Sequence, residues 1–277
     1  MKDRAYAKVN LALDILRRRK DGYHELSSVM VPLNFYDVLE ISKAEEMTYE
    51  CDRSFIPFNS ANTIVKMIGL FKERYGIEDN YHVKLEKRIP IKAGLAGGSA
   101  DATAALRILQ RMYRIQMSEE ETREICGKVG SDVLFTFYNK PALVEGTGEK
   151  LTFFDIRKKY YVLLVKPSAG VSTKESYGNL DLSSCPHPDV FSLKEKLEKG
   201  EEILPYLGNS LEQPAELLCK EVGEVKRDLL KEGAPFALMS GSGSTVFTLS
   251  ESETEIRKLY ESMKKYRYFT RFTEFLC

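Results

Sequence analysis

Forty-one Lys and Arg stand against forty-one Asp and Glu in 277 residues, so neither a nucleic acid nor an anionic membrane is expected as the main partner. A small anion can still be held, because only the local field matters there. At 43% hydrophobic and 30% charged residues, the chain can build one large domain or two of ordinary size.

No apolar run reaches the length of a membrane span. The opening MKDRAYAKVNLALDIL lacks the h-region and cleavage site of a signal peptide, and its alternation begins too early for a transit peptide. The cysteines Cys51, Cys126, Cys185, Cys219 and Cys277 are odd in number and scattered, with no C-x-x-C pair and only three histidines. Free thiols in a reducing cytoplasm are expected, not a disulfide framework or a structural zinc.

In chain order, AKVNLALDIL alternates as a strand, and Asp21-Gly22 signals a turn. VMVPLNFYDVLEIS supplies two more strand-like pieces. The spacing of Ile64, Met67, Ile68 and Phe71 predicts a helix from Asn62 to about Tyr75, and YHVKLEKRI alternates as a strand to Ile89. A helix burying Ala102, Ala105, Leu106, Leu109 and Met112 follows the glycine-rich stretch. Ser118 with Glu121 predicts a capping box opening another helix, which ends near Gly130. GSDVLFTFYNKPALVEGTGEKLTF reads as a turn, strands, and a Gly146/Gly148 turn. YYVLLVKP reads as a central strand. Helices are expected around Ser192–Lys199, Pro214–Leu230 and Glu253–Tyr266, with a strand, glycine turn and strand in FALMSGSGSTVFTLS.

The segment IPIKAGLAGGSADATAAL places Gly94, Gly97, Gly98 and Ser99 just before a helix. Converging backbone N–H groups hold phosphates best where no side chain blocks approach, and a helix N-terminus adds free donors and partial positive charge. Ser99 can cap that helix or contact a phosphate. The segment is neither a Walker A loop, lacking Gly-Lys-Ser/Thr at the required spacing, nor a Rossmann fingerprint. A glycine-rich connection without a ligand is the plain alternative.

PIKAGLAGGSADA, together with AKVNLALDILRRRKDGYHEL, GSDVLF and SGSGSTVF, resembles the GHMP kinases, named for galactokinase, homoserine kinase, mevalonate kinase and phosphomevalonate kinase. The motifs run from Ala7 to Phe247. DGYHEL after AKVN is similar to the branch that phosphorylates a cytidine-diphosphate-linked polyol in non-mevalonate isoprenoid synthesis. Ser131, Leu134 and Ser244 depart mildly from the usual pattern without removing a proposed catalytic group. The resemblance implies an α+β, two-domain fold: a ribosomal S5 domain 2-like N-terminal part over 1–155, binding ATP, and a ferredoxin-like C-terminal part over 156–277. ATP and substrate are then expected in the cleft between them.

The same resemblance implies roles for residues. Pro90, Ile91, Lys92, Ala93, Gly94, Leu95, Ala96, Gly97, Gly98, Ser99 and Ala100 would bind ATP phosphates, and Asn62 would touch adenine, although a plain N-cap role fits Asn62 equally. Asp132 would be the catalytic base, against a turn or N-cap aspartate. Lys8 would stand beside it, lowering its proton affinity or stabilising transferring charge, with Asn10 touching substrate. The competing reading leaves Lys8, Asn10 and Asp14 on a solvent-facing strand surface. Tyr23 would stack on cytosine and His24 bond its edge, with Tyr177 on the other side of the ring and Thr173 at the acceptor end. A packed turn aromatic and a surface histidine are the ordinary alternative. Mg2+ is expected to travel with ATP, since no dense carboxylate cage is visible.

Two rivals remain open: another small-molecule kinase of the family, of homoserine or mevalonate type, and a non-catalytic nucleotide- or RNA-binding module. The basic run Arg17–Lys20 reads as a solvated hairpin tip, because no second basic cluster accompanies it.

Overall fold

The computed structural model describes residues 1–53 and 56–276; Cys277 lies outside the described residues. In chain order come β1 (Lys2–Arg18), β2 (His24–Ala44), β3 (Thr48–Cys51), α1 (Thr63–Tyr75), β4 (Asn80–Glu86), α2 (Gly97–Tyr113), α3 (Glu119–Val129), α4 (Val133–Tyr138), β5 (Ala142–Gly146), β6 (Lys150–Phe153) and β7 (Tyr161–Lys166). Then follow α5 (Thr173–Gly178), α6 (Val190–Lys199), β8 (Gly208–Asn209), α7 (Glu212–Leu218), α8 (Lys220–Lys231), β9 (Leu238–Met239), β10 (Val246–Ser250), α9 (Glu253–Met263) and β11 (Phe269–Glu274). This is the α+β content the sequence implies. The chain forms two compact units that interleave along the sequence. One holds Met1–Ala7, Phe35–Pro90 and Ala96–Asn139; the other holds Lys8–Asn34, Ile91–Leu95 and Lys140–Cys277.

In the first unit β4 runs antiparallel to Val38–Ala44 of β2, and β3 runs parallel to β4. Alternation along both strands turns Leu39, Ile41, Tyr81, Val83 and Leu85 inward. Helix α1 buries Ile64, Met67, Ile68 and Phe71, as its spacing predicts. The alanines of α2 let α1 and α4 approach it closely. The capping box at Ser118 and Glu121 is present at the start of α3. Residues 133–138 correct the sequence reading: they are a helix, not a strand. Six residues are too few for periodicity to separate the two, and Val133, Leu134 and Phe135 are buried in an element packed on α2 and α3.

In the second unit β1 and β2 are the arms of a hairpin closed by the turn at Arg19–Gly22. Strand β5 pairs with Leu26–Met30 of β2, β6 with β5, and β8 runs parallel to β1 at Ala12 and Leu13. A separate antiparallel sheet has the order β11-β7-β10-β9. Its centre, β7, is the expected apolar run, with Val162–Val165 fully buried. Helices α8 and α9 cover this sheet with Val222, Val225, Leu229, Ile256, Leu259 and Met263. Three details differ from the sequence reading. Strand β2 is one continuous strand, because Pro32 and Leu33 face the C-terminal segment through Leu276 N–H and a bridge to Phe275. The helix expected over Pro214–Leu230 is broken at Cys219, which is extended (φ −143°, ψ 92°). The sequence reading leaves Phe269–Glu274 unassigned; these residues form the edge strand β11.

Candidate active site

The glycine-rich segment adopts an unusual backbone. Lys92 (φ 48°), Gly94 (φ 71°) and Ala96 (φ 56°) are all left-handed, and only glycine takes that conformation readily. Positive φ at alternate positions is the kind of backbone that can turn successive N–H groups to one side. Ala96 precedes α2 and no side chain caps the helix. Ser99 therefore does not cap α2, one of the two roles open to it in the sequence. The first intrahelical bond runs from Ala100 N–H to Ala96 O, so helix geometry leaves the amides of Gly97, Gly98 and Ser99 without intrahelical acceptors. These residues fit a phosphate group.

In the first unit, the start of α2 is held from below. Lys87 Nζ donates to Asp37 Oδ2 and, at 2.7 Å, to Asp101 Oδ2, and all three side chains are buried. Burial opposes the Lys87 charge, but the two carboxylates outweigh it and raise its pKa. Burial pushes the Asp101 carboxyl up to about 7. Asp37 Oδ1 also accepts the N–H groups of Arg88 and Ile89. Thr63 Oγ1 donates to Gly98 O at 2.6 Å. Asn62 caps α1 through Oδ1, which accepts Ile64 N–H at 2.9 Å, while Nδ2 donates to Pro57 O. Asp132 stands at the start of α4, half-buried, and makes no capping bond there.

The second unit contains Lys8. From Ala7 to Leu13 β1 is buried on both faces, with Lys8 3% and Asn10 1% exposed. The solvent-facing reading of this strand is thereby overturned for both residues; the covering layer includes the 240–241 turn. Lys8 Nζ donates to Asn10 Oδ1 at 2.5 Å, Asn10 Nδ2 to Ser28 Oγ at 2.8 Å, and Ser28 Oγ to Ala12 O at 2.6 Å. A buried ammonium needs such partners. Ser240 Oγ accepts Asn10 N–H and donates to Gly94 O. Gly241 (φ 57°) backs onto the pair: a Cβ there would lie 3.3 Å from Lys8 Nζ and 3.4 Å from Asn10 Oδ1. At Gly94 a Cβ would lie 2.0 Å from Ser240 O, so both glycines are required by close approach.

His24 and Tyr177 are brought together, with ring centroids 5.0 Å apart and a 37° tilt. Burial, and then the Arg18 guanidinium, hold the His24 imidazole below its usual pKa. An imidazole carries two ring nitrogens that can take part in hydrogen bonds. Tyr23, beside it, is 62% exposed, offering an open aromatic face. Thr173 Oγ1 and Ser242 Oγ are 2.8 Å apart, and Ser176 Oγ donates to Ser242 O. The turn motif SGSGS thus supplies Ser240, Gly241 and Ser242, and β2 supplies Ser28. The sequence reading singles out the motif but none of these residues. Among the described residues no group of three or more His, Cys, Asp or Glu is placed to hold a metal ion, and no helix is long and apolar enough to cross a membrane.

Comparison with known proteins follows the same lines. Residues 62–140 match the GHMP kinases N terminal domain and residues 192–268 the GHMP kinases C terminal domain. A 4-diphosphocytidyl-2-C-methyl-D-erythritol kinase of Thermoanaerobacter pseudethanolicus is 40% identical over 99% of this chain and 96% of its own. The enzyme of that name from Bacillus subtilis is 36% identical over 95% of this chain and 92% of its own. A crystal structure of 4-(cytidine 5'-diphospho)-2C-methyl-D-erythritol kinase superposes with a TM-score of 0.82 at 32% identity, covering 99% of both chains. A homoserine kinase from Cytophaga hutchinsonii shares the fold, with a TM-score of 0.72 at 19% identity over 98% of this chain and 94% of its own.

Proposed function

We propose that this chain, which belongs to the GHMP kinase family, transfers the γ-phosphoryl of ATP to the C2 hydroxyl of 4-diphosphocytidyl-2-C-methyl-D-erythritol, a step of non-mevalonate isoprenoid precursor synthesis. The observation that carries the reading is identity of 36–40% to kinases of that name over almost the whole chain. The site chemistry supports it. Phosphoryl transfer asks for a held nucleophile, neutralised phosphate charge and a base. In this reading residues 90–100 cradle the ATP phosphates, whose Mg2+ arrives with the nucleotide, and Asn62 borders the adenine. Asp132 accepts the proton of the attacking hydroxyl. Lys8, oriented by Asn10 and Ser28, places positive charge where the transferring group gains negative charge. Tyr23, His24 and Tyr177 hold the cytosine, and Thr173 borders the acceptor. The family's N-terminal domain is taken as residues 1–155 and its C-terminal domain as 156–277, and the reaction belongs to the cytoplasm.

The test is one assay of ATP consumption with the cytidylated methylerythritol, homoserine and mevalonate offered separately. Turnover is expected with the first alone. Asp132→Asn should keep both Michaelis constants while slowing turnover by roughly two to four decades, the usual worth of a positioned base. Preference for homoserine or mevalonate would replace the substrate, and near-normal turnover by Asp132→Asn would remove the base.

A further inference from the structure

We propose that Asn209 is a positioning residue for phosphoryl transfer: it fixes the Ser240–Gly243 turn where the Lys8–Asn10 pair needs it. The inference rests on the role given to Lys8 above. Asn209 is one of the two residues of β8 and is 1% exposed. Its carboxamide works in three directions. Nδ2 donates to Met239 O and to Gly241 O, both at 2.8 Å, and Oδ1 accepts Leu211 N–H at 2.9 Å. The two carbonyls flank Ser240. Backbone pairing sets Asn209 opposite Leu13 of β1, three residues beyond Asn10. One residue, through its backbone pairing and its side chain together, thus ties the strand that carries Lys8 and Asn10 to the first half of the turn.

The turn meets that strand a second time. Asn10 N–H donates to Ser240 Oγ at 3.3 Å, and Gly241 lies so close to Lys8 Nζ and Asn10 Oδ1 that even a methyl group there is tight. A displacement of the turn by a fraction of an ångström would press on the ammonium or release the carboxamide that orients it. Misplacement of about 1 Å at a reacting group costs up to roughly a hundredfold in rate. Met239 N–H is also held by Glu212 Oε1 at 2.7 Å. Loss of Asn209 therefore leaves β9 with a tie of its own and loosens the turn beyond it. Asp in this place could not donate to either carbonyl.

The experiment compares Asn209→Ala, Asn209→Asp and Gly241→Ala with a core control, Leu229→Ala, at a temperature where circular dichroism shows all of them folded. Gly241→Ala displaces the turn from the opposite side with Asn209 intact, which keeps the test open if the Asn209 variants fail to fold. The turn variants should lose kcat by roughly ten- to a hundredfold, with KM for ATP within about twofold of wild type in the Asn209 variants and raised in Gly241→Ala, whose Cβ also meets Gly94 O at 3.0 Å. Leu229→Ala should lower Tm and leave kcat alone. Hydrogen exchange over residues 238–246, which reports the Ser240 and Gly243 amides, should quicken in the Asn209 variants. A kcat within about twofold of wild type in a variant with a loosened turn overturns the inference, as does unchanged exchange in a folded Asn209→Ala protein. If the wild type itself does not phosphorylate the cytidylated polyol, the reading of function falls, while the exchange data still decide whether Asn209 holds the turn.

Discussion

At Gly97 an added Cβ would lie 2.9 Å from Ile89 Cγ2 and 3.0 Å from Lys87 Nζ. Neither neighbour can give way cheaply. Ile89 is buried, and Lys87 is locked between Asp37 and Asp101, where moving it would leave buried carboxylates uncompensated. The first turn of α2 must yield instead, and it is this turn whose amides face the proposed phosphates. Overpacking of this kind costs about 1–3 kcal/mol. Gly97→Val should therefore fold with a lowered Tm and bind a non-hydrolysable ATP analogue at least roughly tenfold more weakly, tenfold being about 1.4 kcal/mol. Calorimetric titration checks it. Unchanged affinity in a folded Gly97→Val protein would take the loop out of nucleotide binding.

Between α5 and α6 the chain is strapped to β1 by one histidine. His187 Nδ1 lies 2.6 Å from Asp14 Oδ1 and Nε2 lies 3.1 Å from Leu182 O. Both acceptors can be served only when both ring nitrogens carry protons. The bond to Asp14, followed by that to Leu182, raises the imidazole pKa above its usual value. A raised folded pKa stabilises below the unfolded value of about 6.5, and the contribution is lost as pH climbs through the folded value. His187→Gln should accordingly lower Tm more at about pH 6 than at about pH 9, and an equal loss at both would show that the strap does not depend on the charge. This strap is not foreseen from the sequence, and its partner explains why: Asp14 lies 173 positions away. The elements with local signals were legible. Helices α1 and α3 carry their periodicity and caps in the chain itself, and β7 carries a buried run. Elements decided by tertiary contact were not, as α4 and β11 show. At the site the motifs were readable but their wiring was not. Lys8 and Asn10 are polar positions on an alternating strand, and what covers them includes a turn 230 residues downstream of Asn10. No local pattern encodes that.

For the molecule as a whole, the absence of net charge predicts no global pull on a nucleic acid, while specific ligands must still register in global stability. A ligand bound only by the folded state adds about 2.7 kcal/mol at a hundred times its dissociation constant, roughly 5–10 °C in melting temperature for a chain of this size. CDP and a non-hydrolysable ATP analogue should each produce such a shift, UDP a smaller one than CDP, and an RNA oligomer none. Tyr23→Ala should cancel much of the CDP shift, since one lost base–aromatic stack costs about 1–3 kcal/mol, and leave the ATP-analogue shift in place. The pattern separates the readings because each moves a different member of the set. Equal shifts with CDP and UDP would remove the support for a cytidyl substrate and favour a homoserine- or mevalonate-type kinase. Loss of the ATP-analogue shift in Tyr23→Ala would move the Asp21–Leu26 turn into the nucleotide triphosphate site. A shift with RNA that salt abolishes would make the chain a binding module, in which Lys8 and Asp132 are no longer the pair that carries the chemistry.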